Sequence, residues 1–359
     1  MMSGKPRLTG AQKRTLGVVV IIALGLTLTF ILFQARVLDQ TTRQGEFSQR
    51  AALGATALQR NMQEHLEVLY GLAALYATAA QPLSLNREAF RELTKGLLQR
   101  YPGVQSLGWI PRVSEAEREA YLAAARNNGL SDFHITEWTP KMQMVRAARR
   151  DVYYPILYIE PLEQHRAAVG FNLGSVPPYM EAMQKALSTE EAVASAWRSL
   201  TQDSGEQFGF LLFIPIYKNG IPHRTFEERR VSLQGFSMAM FRLDTLVEQS
   251  LQGMPLGTMG LELTDVTDAA SKYLLSLQLD ASRVASFTFV PRLSAQTEAI
   301  RAGVHWETTF PIAGRTWSVL FHPMAEARHT YAKQEWGILL GGLLCTLLLA
   351  GLFILKGRP

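Results

Sequence analysis

Seven histidines, at positions 65, 134, 165, 223, 305, 322 and 329, are the side chains best suited to metal ligation or proton transfer, and their spacing supports neither. None forms the HExxH interval that sets two imidazoles on one helical face around zinc. The chain has no Walker-type glycine loop for a phosphate and no GxSxG nucleophile elbow. The run EERR at 227–230 carries both signs and reads as a solvated helix or loop. No carboxylate pair can be assigned by spacing. What remains is recognition without bond-making: no enzyme activity, catalytic residue, metal or cofactor is expected.

The elements around these residues place the chain at a membrane. Leu16–Phe33 is an 18-residue run without a charge, and Gly337–Leu355 is a 19-residue one. Each approaches the roughly 20 residues that cross a bilayer. Lys5, Arg7, Lys13 and Arg14 precede the first run, and Lys356 and Arg358 follow the second. By the positive-inside rule both ends face the cytoplasm, and Trp336 sits at an interface position. Part of the net charge of +5 belongs to these flanks, so nucleic-acid binding is not inferred from it. The one cysteine, Cys345, lies in the second run, so the outer region has no disulfide.

Between the runs, Leu58, Met62, Leu66, Leu69, Leu72 and Tyr76 recur at spacings of three and four, the apolar stripe of one helix. The stretch reads as a stalk continuing the first membrane helix. Its stripe pairs with a second copy in a homodimer or packs on its own chain. After it, "REAFRELTKGLLQRY" predicts a short helix. "SEAEREAYLAAARNNG" predicts another, with Ser114 as N-cap and Gly129 as stop. "SVPPYMEAMQKAL" opens a third on prolines, where a missing N–H costs least. Among them run "VQSLGWIP", "FHITEW", "VYYPILY", "AAVGFNL", "GFLLFIPIY" and "QGFSMAMF", an α+β pattern. A smaller group follows Gly253, with four predicted strands, "GTMGLELTDV", "SFTFVPRL", "VHWETTFPI" and "RTWSVLFHP", and a hairpin marked by Pro311 and Gly314.

Four ordered blocks, "LGWIPRVSEAERE", "AAVGFNLGSVPPYMEAMQKAL", "FGFLLFIPIYKNG" and "TFEERRVSLQGFSMAMFRLDTLVEQSL", resemble the CHASE family of extracellular sensors over roughly residues 85–252. The resemblance implies an α+β fold: a long stalk helix carrying two PAS-like modules, flanked by two transmembrane helices. The expected boundaries are a cytoplasmic tail (1–15), transmembrane helix (16–33), stalk (34–80), membrane-distal CHASE module (81–252) and membrane-proximal module (253–324). A connecting helix (325–336), second transmembrane helix (337–355) and cytoplasmic end (356–359) complete them. The resemblance further implies a bacterial inner-membrane protein with a periplasmic sensor, signalling to a histidine kinase or diguanylate cyclase. That output domain is fused beyond Pro359 or carried by a partner. The alternative is a non-signalling periplasmic scaffold or binding subunit with a degenerate pocket.

In the related plant cytokinin receptors an aspartate holds an adenine ring, and Asn172 occupies the corresponding block here. Its amide both donates and accepts, so a purine-like or other small planar or amphipathic ligand is expected in the distal module. Ala239 stands where relatives often carry glycine, which would narrow the pocket. The implied pocket has apolar walls with a few polar groups. Its candidate residues are Trp109, Tyr154, Phe171, Asn172, Val193, Thr201, Phe213 and Phe236, with Arg198 as a lower-ranked member.

Overall fold

Helix α1 (Gly10–Thr78) runs 69 residues, carrying the first apolar run and the stalk stripe on one unbroken element. The computed structural model describes residues 10–78, 87–199, 208–256, 258–268, 273–280, 283–291, 295–324, 341–342 and 344–349. The chain forms two units, residues 1–51 with 323–359, and residues 52–322; α1 contributes to both.

In the first unit, Leu16, Val19, Leu24 and Phe30 are more than half exposed. Among the described residues α1 is the one helix long and apolar enough to cross a membrane. The second apolar run lies largely outside the described residues; Gly341–Gly342 and Leu344–Leu349 within it are helical. A side chain at Gly25 would strike Thr346, and one at Gly342 would strike Thr29. Both threonine hydroxyls donate back to a carbonyl four residues earlier, Thr29 to Gly25 and Thr346 to Gly342. Small residues with self-satisfied hydroxyls are what close helix packing in lipid favours.

In the second unit the stripe meets its own chain. Leu58, Met62, Leu69, Leu72 and Tyr76 are buried, while Leu66 is half-buried and His65 takes the inner position. Helix α2 (Arg87–Arg100) packs beside it. A six-stranded antiparallel sheet lies against both. Its strands are β1 (Val104–Pro111), β2 (Tyr158–Glu160), β3 (Val193–Ala194), β4 (Arg198–Ser199), β5 (Phe208–Tyr217) and β6 (Leu233–Arg242). They order as β2-β1-β6-β5-β3, with β4 also on β5. Trp109 pairs with Ser237 and Tyr158, and its ring stacks on Tyr76 at 5.4 Å; Phe241 meets His65 edge-on at 5.8 Å. These contacts define a stalk face. The alternate residues Ile110, Phe236, Met238 and Phe213 form the opposite face, covered by helix α4 (Pro177–Thr189). Helix α3 (Arg118–Asn127) lies between β1 and β2 in the chain; the Glu117 carboxylate accepts from the Ser114 N–H and hydroxyl, and Gly129 follows with φ +91°.

The second sheet has five strands: β7 (Met259–Asp265), β8 (Tyr273–Asp280), β9 (Arg283–Pro291), β10 (Trp306–Ile312) and β11 (Arg315–Pro323), ordered β9-β8-β7-β11-β10. The sequence reading of four strands missed β8, whose leucine-rich "YLLSLQLD" is a weak strand former by propensity. Pairing on both sides, Leu275 to Leu263 and to Phe289, makes it a strand nonetheless.

The β10–β11 connection is a two-residue turn, Ala313 and Gly314, with φ of +46° and +72°. Positive φ at both central residues matches the twist of a hairpin. Its tip touches the first sheet: the Ala194 N–H donates to the Ala313 carbonyl at 2.8 Å, and the Lys185 ammonium to the Gly314 carbonyl at 2.6 Å. Behind the tip, Trp317 is fully buried edge-on to Trp197 at 5.1 Å and to Phe210 at 5.4 Å.

A cavity on the six-stranded sheet

Strand period two decides which side chains of the first sheet face the cavity. Met238 and Met240 on β6 and Leu211 on β5 form part of one wall, and Gln105 on β1 also lines the space. The ribbon Thr136–Trp138 with Met144–Arg146 supplies Trp138 and Met144, and its turn supplies Met142. The segment Gln164–Leu173 adds His165, Ala168, Phe171 and Leu173; Tyr179 comes from α4, and Trp197 and Arg198 from the β3–β4 stretch. Together they line a half-open cavity of about 830 Å³. That lies within the range of small-molecule sites, and the predominance of apolar side chains with few polar groups is typical of them.

The electrostatics of the cavity are simple. Arg198 is the one charged side chain lining it among the described residues. Its guanidinium sits 5.8 Å from the Tyr179 ring centroid, a cation–π arrangement. Burial pulls the His165 imidazole below its ordinary value, opposed by a hydrogen bond with the Gln105 backbone, so it is neutral at neutral pH. Burial raises the Tyr179 phenol, and Arg198 opposes that shift.

Of the residues picked from sequence, Phe171 and Arg198 line the cavity. Tyr154, Val193, Phe213 and Phe236 lie in the buried cluster beneath it, where Phe236 meets Tyr154 edge-on at 5.7 Å and Phe213 at 6.2 Å. Trp109 is on the stalk face, away from the cavity. Ala239 pairs with Leu107 and Leu212 on that same face, so its methyl does not narrow this space; the neighbouring methionines do. Thr201 lies outside the described residues.

Asn172 is fully buried but engaged in the backbone around it. Its Oδ1 accepts from the Tyr154 N–H at 2.9 Å, its own N–H donates to the Thr136 carbonyl at 2.8 Å, and its carbonyl accepts from the Ser175 hydroxyl at 2.7 Å. Among the described residues its Nδ2 has no partner. Asn172→Ala is therefore expected to cost about 1–3 kcal/mol, because a buried N–H loses its acceptor. Thermal denaturation of the variant without ligand checks this; an unchanged Tm would contradict it.

The residues missed from sequence are chiefly Trp138, Met142, Met144, Tyr179, Trp197, Met238 and Met240. A signal was present. "MAM" at 238–240 sets two methionines on one strand face, and "MQM" at 142–144 puts one in the ribbon's turn and one at the start of its second strand. Flexible, polarizable thioethers are the side chains that adaptable binding surfaces use.

A curated relative, hybrid signal transduction histidine kinase A of Dictyostelium discoideum, is 21% identical over 260 residues, which is 67% of this chain and 12% of that protein. The chain thus spans about an eighth of that relative's length. Solved structures similar to it include the ligand-binding domain of the Pseudomonas aeruginosa PAO1 amino-acid chemoreceptor PctC in complex with GABA. That match has 12% identity and a TM-score of 0.38, covering 78% of this chain and 99% of that one. Another is the periplasmic sensory domain of the Campylobacter jejuni chemoreceptor Tlp1, at 7% identity and TM-score 0.45, covering 80% and 96%. The CHASE domain model matches residues 84–276, more than half of the chain. This chain therefore belongs to the CHASE domain family of sensory domains.

Proposed function

We propose that the chain is the input module of a membrane-bound receptor, binding a small molecule in the cavity of its first sheet. The carrying observation is that half-open, largely apolar space of about 830 Å³ inside a CHASE domain. A degenerate scaffold would fill such a space with its own side chains. In this reading the two sheets are PAS-like modules, the domain is periplasmic, and both termini are cytoplasmic in a bacterial inner membrane. The receptor works as a homodimer. A pocket-wall movement passes through Ala194 and Trp197 to the β10–β11 hairpin, then along the chain to the run at 337–355. A kinase or cyclase output, fused or in a partner, receives it.

A ligand biases such a switch only through its different affinity for the two states. The purine form of the reading gains no support from Asn172, which is fully buried and does not line the cavity.

The test is a thermal-shift screen of the full chain in lipid nanodiscs, read together with tryptophan fluorescence, since Trp138 and Trp197 line the cavity. A ligand at a hundred times its Kd should stabilise by about 2.7 kcal/mol. The panel spans purines, amino acids, and aromatic and aliphatic acids. Purification from native membranes followed by mass spectrometry of released small molecules is the second arm. A flat screen with no released molecule would sink the reading.

A further inference from the structure

The cavity is apolar almost throughout, yet it holds an arginine that no carboxylate among the described residues balances. Among the described residues no aspartate or glutamate lines it, and none forms an ion pair with Arg198. The guanidinium rests against the face of Tyr179 instead. A ring face offsets only part of what a half-buried cation loses on leaving water. A planar anion meets the same guanidinium with two parallel hydrogen bonds, the strongest arrangement open to it.

The rest of the lining narrows the class. His165 is held neutral by burial, so it adds no second positive charge that a dianion would require. With no carboxylate among the described lining residues, a cationic ligand would face Arg198 with none of them to balance it. Met238, Met240 and Trp197 offer soft, wide surfaces suited to an apolar body of variable shape. Resting on the sensory reading above, we propose that the cavity takes a monocarboxylate carried on an apolar aromatic or aliphatic body. Its carboxylate sits on Arg198 and its body lies against the methionine and tryptophan walls.

The experiment uses the full chain in nanodiscs at pH 7 and three probes of one shape: 3-phenylpropanoate, 3-phenylpropanamide and 3-phenylpropylamine. Tryptophan fluorescence gives each Kd. The acid should bind at least about tenfold more tightly than the amide, which is about 1.4 kcal/mol, and the amine should bind most weakly. Arg198→Gln should raise the Kd of the acid to that of the amide while leaving the amide unchanged. Arg198→Lys should keep part of the preference, since a point charge cannot form the fork. Circular dichroism and Tm of each variant establish that it is folded.

An amide or amine that binds as tightly as the acid overturns the proposal, as does an acid preference that survives Arg198→Gln. Failure of all three probes to bind also overturns it. The sensory reading stands or falls separately, on the molecules released from natively purified protein. A neutral or cationic species there would keep the sensor and discard the carboxylate.

Discussion

Trp317→Ala is expected to lower the Tm of the chain by roughly 10 °C and to separate the second sheet's response from ligand binding in the first. Trp317 is fully buried and has three aromatic neighbours: Trp197 at 5.1 Å, Phe210 at 5.4 Å and Phe310 at 6.4 Å. Truncating a buried tryptophan costs about 3–5 kcal/mol, through lost transfer energy and the cavity left behind. For a domain of this size each kcal/mol moves Tm by about 2–4 °C. The functional part follows from geometry, because Trp197 is at once a wall of the cavity and the edge-on partner of Trp317. Trp317→Phe, which keeps an aromatic ring, serves as the folded variant. Hydrogen exchange at the Ala313–Gly314 turn should respond to ligand in the parent protein and respond less in Trp317→Phe at unchanged affinity. A Tm within about 3 °C of the parent for the alanine variant would show that the ring does not anchor the two sheets.

The second large effect is expected at Gly170. Its φ is +84°, and a Cβ built there would lie 2.1 Å from the His134 carbonyl oxygen. That oxygen is backbone, fixed by the local pairing: the Thr136 N–H donates to the Gly170 carbonyl, and the Gly170 N–H to the Ile156 carbonyl. Gly170→Ala therefore combines a left-handed backbone cost of about 1–2 kcal/mol with a steric one of about 1–3 kcal/mol. Its neighbours Ala168 and Phe171 line the cavity, so binding of any cavity probe should weaken as well. Gly220 supplies the control, with φ +76° and nothing within 4 Å of a built Cβ. Gly220→Ala should pay the backbone cost alone. Chemical denaturation of both variants measures the difference, and equal losses would mean that the His134 carbonyl yields freely.

Local signals in the sequence set the element boundaries around the site. The proline pair at 177–178 opens α4, Gly129 stops the segment after α3, and the three-and-four stripe from Leu58 to Tyr76 marks the buried side of α1. Each acts within a few residues: a missing N–H, a permitted positive φ, one turn of helix. The family, too, was legible from four ordered blocks, and its model covers them.

The site was less legible, and β5 and β6 show why. Every residue of β5 from Phe208 to Ile216 is buried, because helices cover both faces of the sheet. With both sides apolar, alternation vanishes from the sequence, and period two alone cannot tell which parity faces a cavity. Trp109 and Ala239 thus fell on the stalk face, while Met238 and Met240, one residue to either side of Ala239, formed the wall. Composition, spacing and local backbone preference fixed what the elements are. Which face holds the open space, which arginine enters it, and which tryptophans join the two sheets depend on contacts between segments far apart in the chain. Those contacts exist only once the layers have packed.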